Sequence, residues 1–135
     1  MLQKCRKMLK NEKGLTLIEL LAVVVILGII AAIAIPSIGN IIEKSRNEAH
    51  SATALQVMSG ARLAIANGDI QPSANTTDKE HALDTFATYV EKIDSKYTAV
   101  KVITTNGKVT GASLTYDGSA KVFDENGEIV PPAGG

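Results

Sequence analysis

From Leu20 to Ile35 the chain runs for 16 residues without one polar side chain. Leu15, Leu17 and Ile18 extend the apolar stretch to 21 residues, interrupted by Thr16 and Glu19. At ~1.5 Å per helical residue this is long enough to cross a hydrocarbon core of about 30 Å. The carboxylate of Glu19 therefore falls at or just inside the membrane edge, where a charge needs a reason to be.

Two readings of Glu19 compete. In the local one, Thr16 followed three residues later by Glu19 forms a capping box at an ordinary helix start. The other reading starts from what precedes it. Residues 1–14 hold Lys4, Arg6, Lys7, Lys10 and Lys13 against the single acid Glu12, a net charge of +4, and end in Gly14. A basic stretch before an apolar run has the look of a secretory signal, yet no small-x-small cleavage pattern follows the run. The basic side of the run is the better place to look for a cut.

The segment Lys13-Gly14-Leu15-Thr16-Leu17-Ile18-Glu19-Leu20 closely resembles the processing motif of type IV prepilins and pseudopilins. Leucine stands at the first mature position, where that family most often has phenylalanine, and Gly28 and Pro36 sit where many of its members have a glycine and a proline. The resemblance covers the first third of the chain. It implies that a membrane-embedded prepilin peptidase cuts between Gly14 and Leu15 and methylates Leu15, leaving the helix attached. It further implies that Glu19, then the fifth residue, neutralises the new amine of a neighbouring subunit. An unpartnered amine in an apolar filament core would be costly. The implied partners are other copies of the chain, the peptidase, and an assembly platform with its ATPase.

Processing would leave 121 residues with nine basic and thirteen acidic side chains, a net charge of −4. A mildly acidic shaft has no electrostatic reason to bind nucleic acid. The one cysteine, Cys5, lies in the leader with no lipoprotein-type context, so the mature chain has no disulfide. The basic leader favours the cytoplasmic side, which sends everything after Ile35 outward as a single-pass precursor and, after assembly, into an extracellular filament.

Beyond the span the helix is expected to continue. Ile38, Ile41, Ala49, Ala52, Leu55, Met58, Ala61 and Ile65 recur at steps of three or four, apart from a gap at Ser45, and Asn67-Gly68 supplies a stop. Pro36 deletes one backbone hydrogen bond inside this helix and predicts a kink. The resemblance implies that the stretch from Gly28 to Pro36 melts or extends on assembly. After a polar loop from Asp69 to Thr76, Thr77-x-x-Glu80 reads as a second capping box. Ala82, Leu83, Phe86, Val90 and Ile93 then mark a second amphipathic helix. Strands are expected at Tyr97–Thr105, Lys108–Tyr116 and Ser119–Asp124, joined by Asn106-Gly107 and Asp117-Gly118, with a short strand at Glu128–Val130 after Asn126-Gly127. The fold class is α+β: one long helix, transmembrane in its first half, on a small antiparallel sheet. The organisation is a leader (1–14), an assembly helix (15–37), its amphipathic continuation (38–68) and a globular head (69–135).

No catalytic constellation emerges, and no cofactor is implied. His50 and His81 are isolated and read as surface residues on helices. Asp124, Asn126 and Glu128, with Asp117 nearby, place oxygen ligands at alternate positions, a weak calcium candidate that reads better as a solvated turn. Three functional classes remain. The leading one is a subunit of a filament for adhesion, surface motility or DNA uptake. The others are a pseudopilin of a secretion or competence machine and a bitopic anchored protein with a coincidental motif.

Overall fold

The computed structural model describes residues 2–131, with side chains from Thr16 onward. Helix α1 spans Leu2–Asn67, 66 residues, with Pro36 inside it. Leu, Ile, Val and Ala dominate its first half, and a helix satisfies every backbone group internally where neither water nor a neighbour can. Pro36 costs one backbone hydrogen bond, and the helix continues through it. Because α1 begins at Leu2, Thr16 does not start a helix, and the expected capping box with Glu19 does not form: amides in a helix interior already bond the carbonyl four residues back. The chain divides into two compact units at the Lys44/Ser45 junction.

The end of α1 follows from Gly68. With φ +86° it adopts the left-handed conformation that glycine tolerates, and its N–H bonds Ile65 O at 3.0 Å while the Asp69 N–H bonds Ala64 O at 2.9 Å. These two bonds are a Schellman cap, which satisfies carbonyls that the helix end would otherwise leave open.

Five antiparallel strands follow in the order β1-β2-β3-β4-β5: Lys79–Ala82, Tyr97–Thr105, Lys108–Tyr116, Ser119–Asp124 and Ile129–Val130. Strands β2, β3 and β4 have the bounds expected from sequence, because their turns are chemically specified. Asn106 and Gly107, and likewise Asp117 and Gly118, all have positive φ, the geometry of two-residue hairpins whose twist matches that of the strands. The last strand loses Glu128 from its expected range.

The second amphipathic helix expected over Ala82–Ile93 is absent. Thr77-x-x-Glu80 caps nothing, since Lys79–Ala82 is strand β1, paired to β2 with His81 opposite Val102. Two short 3-10 turns follow, Leu83–Thr85 and Ala87–Tyr89. The three-and-four spacing was real but has another cause. These turns present Phe86 to the core, fully covered, with Leu83, Tyr89, Val90 and Ile93 packed at its margin, while β1 gives β2 the hydrogen-bonding partner that a helix could not.

The core lies between the second half of α1 and the inner face of the sheet. Ala54, Val57, Met58, Ala61 and Ala64 meet Val100, Val102, Val109, Ala112, Leu114 and Phe123, closed by Ile70 and Phe86. The buried helix stripe is phased differently from the expected one: Ala49, Ala52 and Leu55 are exposed, as are Ile38 and Ile41, and Met58 and Ala61 are shared. Gly60 marks a close approach. A Cβ there would lie 2.9 Å from the Tyr89 carbonyl oxygen and 2.4 Å from Val90 Cγ2, so the 89–90 segment rests directly on the helix backbone.

Candidate functional site

The first unit has one chemical singularity. Between Thr16 and Ile42, Glu19 is the sole charged residue, and the large apolar side chains from Leu17 to Ile35 are 49–72 % exposed. An amphipathic surface helix has one bare face; this one is apolar all round and uncovered, which is the pattern of a helix that lipid or other helices must surround. By length and composition it can cross a membrane. Glu19 is exposed near one end, Gly28 has open space where a Cβ would point, and Pro36 lies one helical turn or more beyond it. These positions are strung along the helix and do not converge into a pocket. The backbone of the expected cleavage site, Gly14 to Leu15, falls within α1, while the side chains of Cys5 and Leu15 are outside those described.

In the second unit both histidines, expected at the surface, are buried: His50 is 9 % and His81 8 % exposed. His50 follows the same helical spacing as Ala54, Val57 and Met58, a signal visible once histidine is admitted to a core position. It sits against Tyr97 and Tyr116 with ring centroids 5.7 and 4.8 Å away, and Nδ1 lies 2.8 Å from the Tyr97 hydroxyl.

His81 closes the other side of the head. Its Nε2 is 3.1 Å from Thr104 Oγ1, which also accepts the Ser73 N–H at 3.1 Å and donates to Lys79 O at 3.3 Å. With the hydroxyl hydrogen spent on Lys79, the imidazole must donate Nε2–H, the neutral tautomer with that proton. Burial foremost, then the Lys79 charge, hold its pKa below the ordinary histidine value. A histidine held neutral in the fold but free to protonate when unfolded contributes stability above its unfolded pKa of about 6.5, and that contribution is lost as pH falls toward the depressed folded value. The melting temperature is therefore expected to fall on acidification from neutral pH, and His81→Gln should make that fall shallower. An unchanged pH slope in the variant would count against this account.

Two of the weak calcium candidates take part in turns. Asp124 Oδ1 accepts the backbone N–H groups of Asn126 at 2.9 Å and Glu128 at 2.8 Å, and Asp124 O accepts the Gly127 N–H. Asp117 is the first residue of a hairpin turn at φ +48°. Among the described residues no three His, Cys, Asp or Glu side chains are grouped to hold a metal ion.

Residues 9–35 match the family model described as the prokaryotic N-terminal methylation motif. The chain is 33% identical over 125 residues to the type IV major fimbrial protein FimA of Dichelobacter nodosus, covering 88% of this chain and 75% of that protein. It is 29% identical over 116 residues to a fimbrial protein of Pseudomonas aeruginosa, covering 78% and 75%. No solved structure matches.

Proposed function

Because the chain belongs to the type IV pilin family, we propose that it is made as a precursor, cut between Gly14 and Leu15, methylated at Leu15, and polymerised through α1 into an extracellular pilus. As a pilin subunit it is a structural protein and not an enzyme. One observation carries the proposal: from Thr16 to Ile42 the helix is apolar on every side and bare, with Glu19 as the single charge of that stretch. Before assembly the membrane covers that surface; in a filament, the same helix of other copies does.

Cleavage would create a positive amine at Leu15, four residues before Glu19. In the filament core an unpaired charge of either sign costs several kcal/mol, and each subunit supplies one of both. Pairing Glu19 of one copy with the amine of another removes both penalties and fixes the axial register. Gly28 and Pro36 both weaken the backbone of this helix, the first by conformational freedom and the second by its missing N–H. They are the places where α1 yields when it leaves the bilayer. The basic leader holds the precursor's N-terminus in the cytoplasm and the head outside. The fimbrial relatives support a surface pilus subunit, with adhesion, motility or DNA uptake as its use and a pseudopilin as the second reading.

Intact-mass measurement on sheared surface filaments tests the reading. A chain beginning at Leu15 and heavier by one methyl group is expected. Filaments built of chains that retain residues 1–14 would overturn it.

A further inference from the structure

Among the described side chains of α1, His50 is the one ionisable group buried in the seam between that helix and the sheet. Its surroundings are drawn from four elements. From α1 come Arg46 and Thr53; β2 contributes Tyr97, β3 Tyr116, and β4 Lys121, whose ammonium donates to Asn47 Oδ1 at 2.5 Å. Tyr97 and Tyr116 also pack on each other, centroids 5.0 Å apart, so the three rings form one closed cluster.

The hydrogen bonds through this cluster have a determined direction. Thr53 Oγ1 donates to Ala49 O at 3.0 Å, which leaves it an acceptor for the Tyr97 hydroxyl at 3.3 Å. The Tyr97 oxygen is then the acceptor for His50, which must carry its proton on Nδ1. A neutral imidazole completes this relay. A second proton leaves every bond of the relay in place, but puts a full positive charge into a buried site where the acting neighbours, Lys121 and Arg46, are themselves positive. Glu43 and Glu48 lie on the same helix, both exposed. Among the described residues the one ion pair is Lys101–Glu80, on β2 and β1, so neither cation beside His50 is neutralised by a carboxylate at contact distance.

We propose that His50 is an acid-sensitive latch, holding the outer part of α1 on the sheet at neutral pH and releasing it in mild acid. The charge of a protonated ring is solvated when the seam opens, and opening also separates it from Lys121 on β4. The buried surface freed first is the first turn of the stripe, Ala54, Val57 and Met58. In a filament of such subunits, acid would loosen each head from its own stem without touching the stem's apolar packing. Direction follows from linkage: a group kept neutral in the closed form and able to protonate in the open one favours opening as pH falls.

Hydrogen exchange on the full-length subunit in detergent, at about pH 7.5 and about pH 5 and corrected for intrinsic rates, reads the latch directly. Amides of residues 50–58 are expected to exchange severalfold faster in acid in the wild-type chain. His50→Gln should lose most of this acid response in the segment, keeping only the smaller part that His81 contributes through global unfolding. Lys121→Gln, which keeps the imidazole but removes a facing cation, should shrink the acid effect. His81→Gln should leave it intact, separating this seam from the other histidine. Equal wild-type protection at both pH values, or an undiminished acid response in His50→Gln, would overturn the proposal.

Discussion

Replacing Glu19 with alanine is expected to abolish surface filaments while leaving a precursor that inserts in the membrane. The side chain is exposed in the subunit and Ser45–Gly135 forms a compact unit by itself, so removal should leave the fold of Ser45 onward as it is. The consequence appears on assembly. Without the carboxylate, the amine created at Leu15 enters an apolar core unpaired, at a cost of about 3–5 kcal/mol per subunit. At 1.4 kcal/mol per factor of ten, the association constant for each added subunit drops by more than about a hundredfold. Electron micrographs should show bare cells, and membrane fractions should still contain the protein. Glu19→Gln separates charge from shape: it keeps the side chain's size and polarity, cannot neutralise the amine, and should assemble as poorly as alanine. Normal filaments from either variant would sink the pairing.

The parts of this protein that could be read from sequence are those specified by local chemistry. The apolar run, its length and its lone acid define the assembly helix without reference to anything else in the chain. Asn106-Gly107 and Asp117-Gly118 fix hairpins because those residues accept positive φ at low cost, and strand bounds follow from the turns. Asn67-Gly68 ends α1 for the same reason. What escaped was set by distant partners. Lys79–Ala82 is a strand because the edge of β2 needs hydrogen bonds, a demand placed more than twenty residues away along the chain. His50 and His81 are buried because Tyr97 and Thr104 reach them across 47 and 23 residues. The stripe on α1 was misphased for a related reason. Leu55 is the larger aliphatic side chain, while the sheet selects the face that carries His50, Ala54 and Val57. In the assembly helix the comparison runs the other way. Glu19 is exposed in the subunit, so its role is more legible in the sequence, where the basic residues 1–14 and the methylation motif stand beside it, than in the fold.

Phe123→Ala is expected to produce the largest loss of stability from a single change in the head. Phe123 is fully buried near the end of β4, paired with Ala112 on one side and Ile129 on the other. The small residues around it leave little that can move into the space. Ala54, Ala61, Ala64 and Ala112 are core alanines with no rotamers to adjust, and Gly111 lies so near the Phe123 carbonyl that a Cβ there would come within 2.5 Å of it. A cavity that cannot collapse retains its full penalty, so the cost should sit in the range of about 3–5 kcal/mol seen for buried aromatic-to-alanine changes. In a unit of this size that lowers the melting temperature by roughly 15–30 °C. With one cysteine, the chain has no internal disulfide to limit the damage. Val122→Ala, one residue earlier on the outward face and 40 % exposed, is the internal control and should cost less than about 1 kcal/mol. Thermal unfolding of the two variants in the same detergent checks the ordering. Comparable losses would mean that the outward face of β4 is covered as completely as the inner one, and that the core does not end at the sheet.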